Sequence, residues 1–370
     1  MVFPKRVVKS FTFIVFNLFF KSHLERQDSR RINKKILVQI NSGIGDSILA
    51  LPMIHALSVD GFEVYALVNR LTAAVAYFCP DIKDYFIIEY KIFNLAHVIK
   101  SIYKLERLKF NYYIGALPSN LIRYAFLPII LRIPIRIKHN TPHKEEYRNY
   151  DLLFNKRAGI DSSMNNALSN LSLLSLIDVP VIKKLRKSVR LPGRTLDRVA
   201  NILKNLGYVN NKITIGIHPG CKETWAFKRW PAENFAHLIN QLNKKRNVQI
   251  LVFGGPEEKN LASRIIGSVS CMPINVTGKF TLDGTICAIH FCQMFISNDS
   301  GLMHIATLFN IPIIALFGGR SNELATGPYG SQHIVIKKKK IEHITVDEVH
   351  DVATKLLHNI HPTLEDNMQR

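Results

Sequence analysis

Short apolar segments alternate with helix-like segments along most of this chain. Runs of this kind are typical of buried strands in parallel sheets, where helices connect one strand to the next. The alternation therefore predicts βαβ units. In the first half, the strand-like segments are KILVQI (35–40), EVYALV (63–68), YFIIEY (85–90), YYIGAL (112–117) and IRIKH (135–139), and helix-like segments lie near 46–57, 70–78 and 94–108.

The same pattern begins again after a connector that contains the sequence LPGR. Its strand-like segments are ITIGIH (213–218), VQILVF (248–253), MFISN (294–298) and PIIALFG (312–318), with helices near 232–244, 257–267, 300–309 and 345–359. A chain of 370 residues exceeds one typical core, so we expect two doubly wound domains. We predict an N-terminal segment (1–34), an N-terminal domain (35–180), a linker (181–193), a C-terminal domain (194–344) and a terminal helix and tail (345–370). Ligands of such sheets bind outside the carboxyl ends of the strands, so we expect a cleft between the domains.

The charge balance points to anionic partners, because 49 Lys and Arg residues face 28 Asp and Glu residues and give a net charge of +21. Nucleic acid, an anionic membrane surface and a polyphosphorylated substrate all fit this excess. No zinc-finger spacing, RNP pattern or long basic helix is present, which argues against nucleic acid.

The N-terminal segment joins basic residues to an apolar run of ten residues within KRVVKSFTFIVFNLFFK (5–21). That run is too short to span a bilayer, and no small-residue cleavage site follows it. Two interpretations remain open: a helix lying in the lipid headgroup region, or a helix docked on the protein's own surface.

Metal and disulfide chemistry have little support in the sequence. The five cysteines contain no C-x-x-C pair, so we expect buried thiols in a reducing compartment. No D-x-D occurs and no paired zinc ligands are present, so we expect no metal site.

The loop NSGIGDSILALP (41–52) follows the first predicted strand. Gly43 and Gly45 are spaced as in a dinucleotide fingerprint, but Ile48 occupies the third glycine position and no G-K-[ST] follows. The turn instead places Asp46 at a helix start facing the cleft. Asp46 is either a helix cap or a general base.

Two further loops leave predicted strands of the second half. HPGCKETWAFKRWP (218–231) places Lys228 ahead of a helix, a combination that suits an anion. FGGPEEKN (253–260) places Glu257 and Glu258 at a helix start, where a carboxylate is either a dipole partner or an acceptor for ribose hydroxyls.

The stretch SNDSGLMHIA (297–306) raises the question of a hydrolytic triad. Asp299 and His304 are five residues apart and would point to different faces of one helix, and no G-x-S-x-G surrounds Ser300. The helix start offers a different chemistry. The backbone amides of Ser300, Gly301 and Leu302 can hold a phosphate.

Several segments together resemble glycosyltransferase family 9, the ADP-heptose:lipopolysaccharide heptosyltransferases. They are GIGDSILALP, KRWP, VTGKFTLDGTICAIHFCQMFISNDSGLMHIATLFNIPIIALFG and TGPYG, and the resemblance runs from about residue 35 to 358. It implies the GT-B fold, in which two Rossmann-like domains face each other. It also implies an inverting transfer from ADP-heptose, without metal or cofactor, to a lipid A–Kdo or heptosyl acceptor of the lipopolysaccharide core.

The resemblance implies a role for each matching residue. Asp46 matches the general base, and Lys228 matches the lysine that neutralises the donor diphosphate. The other matches are Thr224 (a hydroxyl partner of the diphosphate), Glu258 (ribose hydroxyls), Phe280 (packing on adenine), Asp299 (near donor sugar and diphosphate), the amides of Ser300, Gly301 and Leu302 (phosphate cradle) and His304, which completes the motif and is either a packing or a hydrogen-bonding ring.

A polyanionic acceptor lodged in a membrane suits a basic N-terminal half. We expect its cations on the acceptor side at Arg123, Arg132, Arg136 and Lys138, and the protein peripheral at the cytoplasmic face of the inner membrane. The alternatives are a GT-B enzyme that uses another nucleotide sugar, a sugar-nucleotide epimerase, and an inactive membrane-surface protein that keeps the fold.

Overall fold

In a computed structural model of the protein, residues 33–88, 95–117, 125–140, 150–181, 189–244 and 247–368 are described. The predicted membrane segment (1–34) therefore lies almost wholly outside the described residues, as does Arg123. The predicted linker (181–193) is described only at its ends, and the domain limits given above stay predictions.

The N-terminal sheet has six parallel strands. In chain order they are β1 (Lys35–Gln39), β2 (Glu63–Val68), β3 (Ile82–Ile87), β4 (Tyr112–Gly115), β5 (Ile135–His139) and β6 (Lys156–Ala158), and they are arranged in the order β3-β2-β1-β4-β5-β6. The helices of this part are α1 (Ile44–Leu49), α2 (Leu51–Val59), α3 (Ala73–Phe78), α4 (Leu95–Leu108), α5 (Leu127–Ile130) and α6 (Asn166–Ser172), followed by a 3-10 helix (Leu173–Ile177).

The C-terminal sheet repeats this plan with six more parallel strands. They are β7 (Ile213–His218), β8 (Val248–Val252), β9 (Ile274–Asn275), β10 (Met294–Asn298), β11 (Ile313–Gly318) and β12 (His333–Lys338). The helices are α7 (Gly193–Asn205), α8 (Ala232–Asn243), α9 (Lys259–Gly267), α10 (Leu282–Ile289), α11 (Gly301–Thr307), α12 (Glu323–Thr326) and α13 (Val346–Met368), with 3-10 helices at Glu223–Lys228, Pro256–Glu258 and Ile341–His343.

Both sheets share one strand order. The second runs β12-β11-β10-β7-β8-β9, so in each sheet the first strand lies between the second and the fourth. The order reverses between β1 and β4, and again between β7 and β10. Doubly wound sheets bind ligands in the crevice at this switch point. The predicted α/β architecture of two facing doubly wound sheets, the GT-B fold, is confirmed.

Apolar side chains cover both faces of both sheets. One buried cluster contains residues of both domains, for example Ile48 from α1 and Met303 from α11, so apolar packing is continuous from one domain to the other. Two further clusters fill the outer faces of the N-terminal and C-terminal sheets. This continuity holds the carboxyl ends of the two sheets against each other.

The stretch 46–57, predicted as one amphipathic helix, consists instead of α1 and α2 with a break at Ala50. Pro52 lies in the first turn of α2, where a missing N–H is tolerated, so the helix restarts there. Most side chains of the stretch 46–57 are buried, because α1 is enclosed between the domains. Among the described residues, no helix has the length and apolar composition needed to cross a bilayer.

Candidate active site

Asp46 lies in the first turn of α1, directly beyond the carboxyl end of β1. Its Oδ2 accepts a hydrogen bond from the Gly43 amide at 3.2 Å, so the carboxylate does cap the helix. Burial raises the pKa of Asp46, and hydrogen bonds from Ser42 and Gly43 oppose that rise. Burial thus gives this carboxylate a greater affinity for a proton than it has in water, which suits a general base.

The charges that act on Asp46 belong to the other domain. Asp299 adds to the rise of the Asp46 pKa and Lys228 opposes it. Asp299 follows β10 and Lys228 ends the 3-10 helix Glu223–Lys228 after β7. The Asp46 carboxylate at the N-terminal switch point therefore lies within electrostatic reach of Lys228 and Asp299, an ion pair at the C-terminal switch point.

Lys228 and Asp299 form that ion pair, with Nζ 2.5 Å from Oδ2. Their side chains are 16% and 9% exposed, so the pair is largely shielded from water. The Lys228 ammonium also lies over the Trp225 ring, 4.4 Å from its centroid, a cation–π contact. A cation held in this way can exchange its carboxylate partner for the oxygens of a diphosphate.

Glu258 lies in the 3-10 helix Pro256–Glu258 and is 7% exposed. Its Oε2 accepts hydrogen bonds from the Gly255 amide at 2.8 Å and from His218 Nε2 at 3.1 Å. Burial raises the pKa of Glu258, but the hydrogen bonds from His218 and Gly255, together with the electrostatic effects of His218 and Arg229, outweigh burial and lower the pKa of Glu258 below its ordinary value. Glu258 is therefore ready to accept hydrogen bonds from hydroxyl groups.

Ser300 is the N-cap of α11, and its Oγ accepts a hydrogen bond from the Met303 amide at 3.4 Å. The amides of Gly301 and Leu302 open the helix, where backbone donors have no intrahelical partner. Gly301 packs closely against α1, since a β-carbon there would lie 3.2 Å from Ile44 Cβ. The predicted phosphate cradle is thus brought to the interface of the two domains.

His304 does not form a triad with Ser300. Its side chain is buried against the backbone of Gly45, and its Nδ1 has no partner among the described residues. Burial lowers the pKa of His304 to about 4, so the ring is neutral at pH 7. The ring packs at the domain interface, and its part in the donor site stays a prediction. The imidazole beside Ser300 is that of His218 instead, with Nδ1 2.9 Å from Oγ.

Two donor-side predictions rest on position alone. Thr224 is exposed in the 3-10 helix that ends at Lys228. Phe280 precedes α10, where it packs on the buried cluster and against Gly284. Their roles beside the diphosphate and the adenine stay predictions.

The cations expected on the acceptor side are placed differently. Arg132 is exposed and precedes β5. It therefore lies at the amino-terminal ends of the parallel strands, whereas Asp46 lies beyond their carboxyl ends. Arg136 is buried, and its guanidinium donates hydrogen bonds to three backbone carbonyls. Lys138 is buried and paired with Asp151 at 2.6 Å. These contacts correct the prediction, because they assign Arg136 and Lys138 to the framework of the domain.

His218 is the residue that sequence reasoning missed. It ends β7 and opens the loop 218–231, in which only Lys228 and its neighbours received a role. Its position at the carboxyl end of a strand beside a switch point is the signal that identifies it.

Among the residues that the structure describes, no set of three or more His, Cys, Asp or Glu side chains is arranged as a metal site. All five cysteines are free thiols, and four of them are buried, as predicted.

Comparisons with known proteins agree with this geometry. The family model "Glycosyltransferase family 9 (heptosyltransferase)" matches residues 104–355. Lipooligosaccharide heptosyltransferase 2 of Campylobacter jejuni is 28% identical over 306 residues, which cover 81% of this chain and 86% of that protein.

Solved structures show the same fold. The glycosyl transferase family 9 protein of Veillonella parvula superimposes with a TM-score of 0.76 at 22% identity, over 89% of this chain and 98% of the other. ADP-heptose LPS heptosyltransferase II of Escherichia coli gives 0.73 at 20% identity, over 88% and 99%. The chain belongs to glycosyltransferase family 9, the heptosyltransferases, and is a glycosyltransferase enzyme.

Proposed function

We propose that the protein transfers a heptosyl residue from ADP-heptose to the lipopolysaccharide core, with inversion at the anomeric carbon. The acceptor is lipid A–Kdo or a heptosyl unit. One observation carries the proposal: Asp46 at the N-terminal switch point lies within electrostatic reach of the Lys228–Asp299 pair at the C-terminal one. A base on one side of a cleft and a diphosphate site on the other suit a single displacement.

In this reaction Asp46 accepts the proton of the acceptor hydroxyl while the hydroxyl oxygen attacks the anomeric carbon. The bond from that carbon to the diphosphate oxygen breaks, and the electron pair leaves with ADP. Lys228 and the opening amides of α11 stabilise the departing negative charge. Asp299 holds Lys228 in place until the donor arrives, as their 2.5 Å contact indicates.

The nucleoside half of the donor binds on the side of the site that the loop after β8 forms. Glu258 accepts hydrogen bonds from the ribose hydroxyls, Phe280 packs on the adenine and Thr224 contacts the diphosphate. The lowered pKa of Glu258 supports its role, because an ionised carboxylate is the stronger acceptor.

The reaction as proposed needs no metal ion. Lys228 and backbone amides supply the positive charge that metal-dependent transferases take from a cation. Full activity in excess EDTA is expected, and activity that EDTA abolishes and Mg²⁺ or Mn²⁺ restores would refute this part.

We place the protein at the cytoplasmic face of the inner membrane, bound peripherally. The support is the basic and apolar segment 1–34 together with the net charge of +21.

The family assignment disfavours an epimerase or a protein without catalytic activity.

The identity of the donor can be tested by thermal unfolding with ADP, UDP and GDP. Ligand binding to the folded state raises its stability by about 3 kcal/mol at a hundredfold excess over Kd. We expect a rise in Tm with ADP and little change with UDP or GDP. A rise with UDP or GDP but none with ADP would refute the ADP-heptose assignment and favour another nucleotide sugar.

A further inference from the structure

His218 joins two loops that lie far apart in the chain. It ends β7 beside the switch point, and its side chain is 4% exposed. Nε2 lies 3.1 Å from Glu258 Oε2, and Nδ1 lies 2.9 Å from Ser300 Oγ. One ring therefore contacts the residue proposed for the ribose and the residue that caps the proposed phosphate cradle.

The contact with Glu258 fixes which carboxylate oxygen is available to a ligand. Oε2 accepts hydrogen bonds from His218 and from the Gly255 amide. Oε1 lies over Gly220, at a position that a β-carbon on Gly220 would overlap. No described residue donates a hydrogen bond to Oε1. His218 thus holds the carboxylate with Oε1 directed away from its protein donors.

The contact with Ser300 fixes the loop after β10. Ser300 Oγ lies 3.0 Å from Ser297 Oγ and accepts the Met303 amide while it faces His218. Three partners determine the position of this hydroxyl, and with it the backbone at the start of α11. A shift of His218 would therefore move the phosphate side and the ribose side together.

The hydrogen-bond chemistry is consistent on both sides of the ring. The nitrogen that faces a carboxylate must carry a proton, so Nε2 donates to Glu258. A hydroxyl both donates and accepts, so Ser300 satisfies Nδ1 in the neutral and in the charged ring. The array therefore persists whichever form the imidazole takes.

We propose that His218 is a positioning residue for the donor, which directs Glu258 towards the ribose hydroxyls and holds Ser300 beneath the diphosphate. This proposal rests on the proposed function, since it takes the donor to be an ADP-sugar. His218 itself contacts neither the reacting atoms nor the acceptor.

The ribose contact can be measured with ADP and 2′,3′-dideoxy-ADP, titrated calorimetrically into the full-length protein. Hydrogen bonds to a charged group change affinity by about tenfold to a hundredfold, so ADP should bind wild-type protein more tightly than the dideoxy form by such a factor. In His218→Ala the ratio of the two Kd values should fall towards one. The donor KM should rise at least tenfold and kcat should fall, because the backbone that opens α11 shifts as well, while the acceptor KM should change little.

Two conservative variants separate the two contacts. The amide of His218→Gln reaches the position of Nε2, so this variant should keep the preference for ADP over the dideoxy form. The amide of His218→Asn reaches the position of Nδ1, so this variant should lose that preference. Inorganic pyrophosphate, which probes the diphosphate side alone, should inhibit it as strongly as it inhibits wild type. Both variants keep a polar side chain and provide the test if His218→Ala does not fold.

His55→Ala is the matched control, because His55 is likewise paired with a carboxylate, that of Asp81 at 3.2 Å, but is only half-buried and lies in the N-terminal domain. It should lower stability without changing the ratio of ADP to dideoxy-ADP. Wild-type protein that does not bind ADP would contradict the proposed function itself. Wild-type protein that prefers ADP, with the same preference in folded His218→Ala and His218→Asn, would overturn the role of His218.

Discussion

The imidazole of His304 lies against the backbone of Gly45, so closely that a β-carbon on Gly45 would come within 2.5 Å of His304 Cδ2. Gly45 belongs to α1 of the N-terminal domain and His304 to α11 of the C-terminal domain. At this contact between the two helices that begin at the switch points, α1 contributes only backbone. This contact sets the separation between Asp46 and the donor site.

Gly45→Ala should therefore separate the two helices or strain them. Overpacking of a close contact costs about 1–3 kcal/mol, and the free energy of unfolding should fall by that amount. Turnover should fall at least tenfold because Asp46 moves away from the donor, while ADP binding to the C-terminal domain changes little. Urea unfolding, steady-state kinetics and ADP titration measure these three effects.

Gly159→Ala is the control for this variant, since a β-carbon on Gly159 would meet nothing within 4 Å. It should behave as wild type in all three measurements. If the two alanine variants were equally active and equally stable, close approach at Gly45 would have no part in catalysis.

Asp46→Asn should lower kcat by about a hundredfold or more and leave the affinity for ADP nearly unchanged, because the variant keeps the shape of the side chain but cannot accept the proton. Measurement of kcat beside an ADP titration decides the point. Turnover within a few-fold of wild type would mean that Asp46 only caps α1.

The pH dependence offers an independent check on the base. Burial raises the pKa of Asp46, and the neighbouring charge of Asp299 raises it further. The base must be ionised, so kcat/KM should fall as the pH drops through this raised value. In Asp299→Asn the charge is gone, so the acid limb of the residual activity should move to lower pH. An unchanged limb would show that another group controls it.

The sequence predicted most of the framework, because buried parallel strands are short apolar runs and their positions can be read directly. The segments 213–218 and 294–298 agree with β7 and β10 to the residue. The third strand was placed too late, at 85–90, because β3 begins with the half-polar stretch IKDY, which lacks an apolar run. β6 and β9 were missed because two or three residues carry no periodicity. β12 was missed because this edge strand is only partly buried and ends in lysines.

Where one loop carries several chemical groups, as in 297–302, the sequence allowed a role to be proposed for each residue, and these roles stay predictions. Contacts between different loops could not be predicted from the sequence. The pairing of His218 with Glu258 and Ser300 depends on three strands being neighbours, which no local pattern specifies. Arg136 and Lys138 were expected on the acceptor side, since nothing in IRIKH indicates that backbone carbonyls bind Arg136 and a carboxylate binds Lys138.

Lys228→Ala should weaken ADP binding and lower the rate, and it should also destabilise the fold. It leaves the Asp299 carboxylate without its cation in a site that is 9% exposed. Loss of one partner from a fully buried pair costs roughly 3–5 kcal/mol, and we expect a smaller loss because Lys228 is 16% exposed. Adding Asp299→Asn should restore stability but not activity. A double variant as unstable as Lys228→Ala would contradict the pairing.

The buried imidazole of His304 should make the fold sensitive to acid. Its pKa is about 4, below the ordinary 6.5, so between these values the unfolded chain binds a proton that the folded chain does not. The free energy of unfolding should therefore fall as the pH drops from 6.5 to 4, by at most about 3 kcal/mol from this group. His304→Asn should lose less stability than wild type between pH 7 and pH 5 in urea unfolding. Equal losses would show that His304 does not contribute.

The N-terminal segment can be tested with vesicles, although it lies outside the described residues. Each cation near an anionic surface contributes about 1 kcal/mol, and salt weakens the attraction. Deletion of residues 1–30 should reduce binding to vesicles of anionic lipid at low salt and lower activity on a lipid-embedded acceptor. Activity on a short soluble acceptor should be spared, because the deletion leaves Asp46 and the donor site intact.

A charge-reversed full-length protein, with Lys5→Glu, Arg6→Glu and Lys9→Glu, separates charge from apolar insertion. If the cations provide the attraction, this protein should dissociate from anionic vesicles at lower salt than wild type does. Neutral vesicles should bind wild type and both variants weakly. Truncated protein that bound anionic vesicles as tightly as the full chain would show that residues 1–30 do not anchor the enzyme, and the docked-helix interpretation would then hold.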